Sequence, residues 1–287
     1  MSMPVLYALI SAFLFALTNH FQSIGLKGAD VRSGSLVNIA TGTAIYWLAA
    51  PFFLEQWYWL TWGCLCFAVV GIFRPSLSSW LALSSIAWMG PTLTSALTAS
   101  APIFGAGLAI LILGEKLTPA TAAGTLAVVA GAVVATMRPE GVARGWPIWA
   151  LVLPFGAAFI RAGGHVGTKL GLGDVPSAPF AVLVSNTVSL VLVASAFLMQ
   201  GQRVTGTLRD HRWFVLAGVA AGLSLHFLNS ALAAGSVVTV VPIVSAAPVF
   251  TLLLGLAVFR NEAFSARTVA TIALVVPGVV LVAISGK

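Results

Sequence analysis

The sequence predicts an all-α integral membrane protein of ten transmembrane helices, arranged as two inverted five-helix repeats. Three observations predict it: a composition too apolar for water, ten apolar segments of spanning length, and a second half that repeats the first. Hydrophobic residues make up 59% of the 287 positions and charged residues 7%, with a mean hydropathy of +1.03. Soluble domains devote roughly a quarter of their residues to charge, so the bilayer must be the solvent for most of this chain. The net charge of +7 comes from 14 Lys and Arg against 7 Asp and Glu. These basic residues fall mostly between apolar segments, which speaks for topology and contact with anionic lipid and against nucleic acid.

A spanning helix needs roughly 20 mostly apolar residues, and the spans read as 4–24, 35–54, 62–89, 92–113, 119–137, 147–169, 178–199, 213–234, 237–259 and 266–285. No basic residue precedes Lys27, so the first span reads as a retained helix and not a cleaved signal peptide. The second ends before Trp57, Tyr58, Trp59 and Trp62, an aromatic belt suited to the headgroup level. The third is too long for one straight crossing and holds Pro75, which predicts a tilted or broken helix. Pro91 and Pro102 fall in or beside the fourth span, Pro154 in the sixth, and Pro242 and Pro248 in the ninth, where bends would let helices rock. Trp146 and Trp149 open the sixth span and Trp213 the eighth.

Orientation follows from Lys and Arg. Odd-numbered connections carry Lys27, Arg32, Arg138, Arg144, Arg203, Arg209, Arg212, Arg260 and Arg267; the even ones and the tails carry Lys116, Lys169 and Lys287. That bias puts the odd connections in the cytoplasm and both termini outside.

The halves, 1–140 and 141–287, align with each other. AWMGPTLTSALTASAPIF at 87–104 lies over AAGSVVTVVPIVSAAPVF at 233–250, so that Ser84 meets Ser230 and Pro102 meets Pro248. After one inserted residue Glu115 meets Glu262 and Gly131 meets Gly278, and the LKGADV around Lys27 resembles the KLGLGDV around Lys169. Five spans per repeat force the copies into opposite orientations, the plan of many alternating-access transporters. Each half resembles an EamA repeat of the drug/metabolite transporter superfamily. The resemblance rests on the Pro102-to-Glu115 and Pro248-to-Glu262 segments, each followed by a Gly-, Ala- and Val-rich last helix. It implies the superfamily's fold and an exporter of amino acids or other metabolites, similar to the YddG-type aromatic amino-acid exporters. It also implies cytoplasmic termini, against the charge bias.

Polar side chains at membrane depth are costly and invite a functional reading. Arg161, His165 and Lys169 recur every fourth residue and share one helix face. Lys169 can snorkel to the interface, whereas Arg161 lies too deep. Arg74 precedes Pro75, where a guanidinium would sit beside carbonyls freed by the proline; pairing with Glu55 is the structural alternative. Ser78 continues that helix. Asn19, His20, Trp80, His226 and Asn229 complete the substrate-binding candidates. For the histidines the competing reading is a satisfied core group, and for small polar residues it is packing between helices. Asn38 and Asn186 read as structural, and Phe15, Trp80 and Trp88 as cavity lining or lipid-facing filler.

No Asp or Glu falls within the central part of any span. A basic site of this kind suits a carboxylate or phosphate better than a lipophilic cation. The expectation is therefore a transporter of zwitterionic or anionic metabolites, foremost an amino-acid exporter in a bacterial inner membrane. The partners expected are a carboxylate-bearing small molecule and membrane lipid, with no nucleic acid, cofactor or metal. Cys64 and Cys66 sit in an apolar stretch as packing groups, and four histidines without partner acids make no metal set. An intramembrane enzyme, a lipid-handling protein and a carrier of phosphorylated or sugar substrates remain as alternatives, the first without a nucleophile–base pair to support it.

Overall fold

The computed structural model describes residues 2–136, 146–201, 203–259 and 265–285, and every regular element among them is helical. The first half forms α1 (Met3–Gly25), α2 (Val31–Ala49), α3 (Trp62–Ile72), α4 (Ser78–Thr98), α5 (Ala101–Leu113) and α6 (Pro119–Thr136). The second forms α7 (Val152–Asp174), α8 (Ala178–Met199), α9 (Leu208–Ala234), α10 (Val237–Val244), α11 (Ala247–Ala257) and α12 (Ala266–Ser285). Among the described residues, eight helical stretches are long and apolar enough to cross a membrane. The two expected spans outside that set are the second and third. α2 carries Arg32, Asn38, Thr41 and Thr43, and α3 runs for only 11 residues before the chain breaks.

Helix ends move for identifiable reasons. α2 begins at Val31 and not at 35 because the Asp30 carboxylate accepts from the Ser33 N–H at 2.6 Å. α9 begins at Leu208 because Thr207 and Asp210 close a capping box. The third span breaks where Pro75 predicts: Phe73–Leu77 interrupts the α-helix, and Arg74 adopts an extended backbone (φ −125°, ψ 127°). α4 runs from Ser78 to Thr98, yet Ser85 Oγ and Thr94 Oγ1 meet at 2.8 Å across nine positions. A straight helix would part their Cα atoms by about 13.5 Å, so the chain bends back sharply between them. The next crossing then starts at Leu93.

The fourth crossing of each repeat is a pair of half-helices. α4 ends at Thr98 before α5, and α10 ends at Val244 before α11. Pro102 and Pro248 therefore do not bend a continuous helix; each occupies the first turn of the second half-helix, where a missing N–H costs nothing. Pro154 lies in the first turn of α7, which continues directly from a 3-10 turn at Ile148–Leu151. Pro242 sits inside its helix, α10, as Pro277 does inside α12.

The repeats interlock. α1 packs on α9, α10 and α11 of the other repeat, and α7 packs on α3, α4 and α5. α2 lies against α9 as α8 lies against α3, while α2 meets α8 and α6 meets α12. Gly124 and Gly278 face each other across the last pair; a Cβ on either would come within 2.6 or 2.8 Å of the other's carbonyl oxygen. Such close approach is how membrane helices pack without a hydrophobic driving force. Successive crossings alternate, leaving two ends to the bundle. At one, the α1–α2 and α8–α9 connections join through Asp30 and Thr205. At the other, the connections around Glu115, Asp174 and Gly235 meet.

Candidate functional site

Pro75 has no N–H, so the carbonyl four residues earlier, Gly71, loses its helical partner. In hydrocarbon that oxygen must find another donor. Ser189 of α8 supplies it: its Oγ lies 2.8 Å from Gly71 O and 2.7 Å from Arg74 O, one hydroxyl serving both sides of the break. Arg74 is thereby held in extended backbone, and its side chain leaves the helix for α7. Gly164 makes the room, since a Cβ there would stand 2.4 Å from Arg74 Cδ.

The guanidinium then meets the buried imidazole of His165, with Arg74 Nη1 3.3 Å from Nδ1. Arg74 can only donate, so Nδ1 accepts and Nε2 carries the ring proton. Arg161, one turn earlier on α7, is near enough for the two guanidinium charges to oppose each other. It makes no hydrogen bond among the described residues. Arg161 sits at the centre of the Ile148–Asp174 stretch, about 20 Å from either end. Among the described residues no carboxylate lies within ion-pairing distance of Arg74 or Arg161. Glu55, the alternative partner, instead accepts from Trp57 Nε1 and Tyr58 OH at the interface.

The structure thus brings Arg74, Arg161 and His165 together and disperses several other candidates. His20 is a satisfied core histidine: its Nε2 is 2.9 Å from Thr251 O, and its ring stacks on Phe259 at 4.3 Å. His226 stacks on Tyr46 of α2. Asn229 is buried on α9, and its amide makes no hydrogen bond among the described residues. Asn19 is half-buried on α1 and Ser78 is buried at the start of α4. The side chains of Trp80 and Pro75 lie outside the described residues. Phe15 and Trp88 are both exposed side chains. Lys169 does not snorkel: its Nζ donates to Leu232 O at 2.6 Å and Gly235 O at 3.0 Å, closing the end of α9.

Sequence reasoning missed Ser189, Gly164 and the target of Glu115. The first had a signal: a proline break at membrane depth requires a donor from a neighbouring helix. Asn229 has a height, if not a partner, legible in the fold. α7 and α9 run parallel and pack together, and the Lys169–Leu232 contact aligns them, so His165 and Asn229, each about one turn earlier, share a level.

The chain matches the EamA-like transporter family twice, over residues 2–137 and 148–284. A crystal structure of a protein with 19% sequence identity superposes with a TM-score of 0.83, covering 99% of this chain and 97% of that one. At that identity the likeness speaks to fold alone. No curated protein matches the chain.

Proposed function

We propose that this chain, which belongs to the EamA-like transporter family, carries small carboxylate-bearing zwitterions or anions across the membrane, with amino acids, aromatic ones included, as its exported substrates. One observation carries the reading: Arg74 and Arg161 meet at membrane depth with no carboxylate partner among the described residues. Each arginine at the centre of a span costs roughly 2.5–3.5 kcal/mol or more, and that cost is offset when a bound anion takes both guanidinium groups. His165 accepts from Arg74 and aims it. Asn229, unpaired and level with His165, offers an amide oxygen to an ammonium group, which favours a zwitterion over a simple anion. Substrate would reach these groups between the interlocked repeats, by exposure to one end of the bundle and then the other. In this reading the basic Asp30 end faces the cytoplasm of a bacterial cell and the chain lies in its inner membrane.

The test is uptake of radiolabelled amino acids and organic anions into liposomes holding the purified protein, with Arg74→Ala and Arg161→Ala alongside and folding followed by thermal melting. Saturable uptake of a carboxylate compound, lost in either variant while melting holds, supports the site. Movement of only cations, sugars or lipids, or full transport by both variants, overturns it.

A further inference from the structure

We propose that Glu115 is a positioning residue of the transport cycle: it latches the two repeats together at its end of the bundle, and its release from α10 opens the substrate site to that end. The inference rests on the transport reading above and extends it to the moving part.

Gly114, in left-handed backbone (φ 65°), ends α5 and turns the chain so that Glu115 points across to the other repeat. Both carboxylate oxygens are used: one accepts from Val237 N at 2.8 Å, the other from Val238 N at 2.9 Å. These are the first two residues of α10, whose N–H groups have no helical partner and carry the positive end of the helix dipole. The preceding helix is held from the opposite side, since Lys169 binds the last carbonyls of α9, Leu232 and Gly235. The two-residue turn Gly235–Ser236 is thus clamped between an anion from the first repeat and a cation from α7, and the two charges attract each other. Asp174 adds a second tie between the repeats at this end, its Oδ2 accepting from Gly63 N at 2.7 Å.

Position makes this a gate. Lys169 lies two turns beyond Arg161 on α7, about 12 Å along the axis, so the clamp stands between the arginines and the bundle end. Its form suits reversal as well. The Glu115 tie joins one side chain to the backbone of an eight-residue helix, and it can let go without disturbing either repeat's own packing. The partners facing Glu115 are the α10 N–H groups and Lys169; no other charged group contacts it among the described residues.

The experiment reads sidedness. In a Cys64→Ser, Cys66→Ser background, Asn229→Cys reports access to the level of His165. A membrane-impermeant thiol reagent is applied separately to each face of reconstituted vesicles, with no substrate present. Glu115→Ala should raise the labelling rate several-fold from the Glu115 end and lower it from the Asp30 end. Glu115→Gln, which keeps one acceptor oxygen and the shape, should fall between. A merely structural role would raise labelling from both ends together and lower the melting temperature. That result, or labelling at the parent rate from each end in both variants, overturns the latch. Because no substrate enters the assay, a failed substrate reading leaves it intact: shifted sidedness without amino-acid transport would overturn only the carboxylate site.

Discussion

Where α1 packs on α9, Ser11 and Ser224 exchange hydrogen bonds, each hydroxyl donating to the other's carbonyl at 2.8 and 2.9 Å. Where α7 packs on α3 and α4, the equivalent contact in the other repeat pairing, the helix is broken and Arg74 reaches over to His165. In the repeat register Arg74 and Pro75 correspond to Ala220 and Ala221, and Ser78 to Ser224. α9 accordingly runs unbroken through Ala220 and Ala221, from Leu208 to Ala234. One interface is a closed polar seam and its counterpart holds unpaired positive charge. Two residues account for the difference. A proline frees a carbonyl and forces extended backbone on its predecessor, and that predecessor is an arginine. Duplication supplies the frame, and the asymmetry supplies a site that can tell one end of a ligand from the other.

The comparison breaks most severely if the charge is removed from one interface alone. Arg161→Ala or Arg74→Ala should weaken apparent substrate affinity about ten- to hundredfold, the loss expected for hydrogen bonds to a charged group. Ser11→Ala, at the closed seam, should lower stability by about 1 kcal/mol and leave affinity within a factor of two or so. Equal transport defects from both interfaces would mean that the substrate does not distinguish them.

Next in size is an exchange of the break itself. Ala221→Pro puts a proline where Pro75's counterpart stands, freeing the Ala217 carbonyl in a helix built without a break. It should cost about 3 kcal/mol or more, seen as a lower detergent melting temperature. Pro75→Ala, in contrast, restores an N–H to Gly71 and should cost less. Ser189→Ala tests why the natural break is tolerated: leaving Gly71 and Arg74 carbonyls without their donor should cost about 1–3 kcal/mol.

A subtler change sharpens the same contrast. Gly164→Ala places a methyl 2.4 Å from Arg74 Cδ. The flexible arginine can yield, so melting should hold while the guanidinium is pushed off His165 and transport falls several-fold. If transport is unchanged, Arg74 does not act through this geometry.

Some of this was legible from residues alone. The segments 178–199 and 266–285 coincide with α8 and α12, and the break at Pro75 and the shared face of Arg161 and His165 follow from local geometry. A helical wheel names a face, however, and not the neighbour across it. His20 stood as a ligand candidate with a core histidine as its default reading, and only the fold names the partners, Thr251 and Phe259, more than 200 positions away. Glu115 and Lys169 were illegible for the same reason. Each caps backbone that belongs to a distant helix end, and backbone carries no sequence signature. Pro102 and Pro248 each follow the break that divides a crossing into two half-helices, and residues alone could not show that each proline stands in the first turn of the second half.

The smallest effect belongs to the end opposite Glu115. There Asp30 caps α2 through the Ser33 N–H, and Thr205 of the α8–α9 connection donates to its other oxygen at 2.8 Å. These two hydrogen bonds, the backbone one foremost, hold the Asp30 carboxyl below its ordinary value. A depressed folded pKa means stability that is fully present above the unfolded value, roughly pH 4, and is lost as pH falls through the folded one. The group is solvent-exposed, so the loss is small. Melting measured downward from about pH 5 should therefore decline slightly more steeply in the parent than in Asp30→Asn, which has no carboxyl to protonate. If Asp30→Asn keeps the parent's acid slope, the clasp at Asp30 holds by its hydrogen bonds to Ser33 and Thr205 and not by its charge.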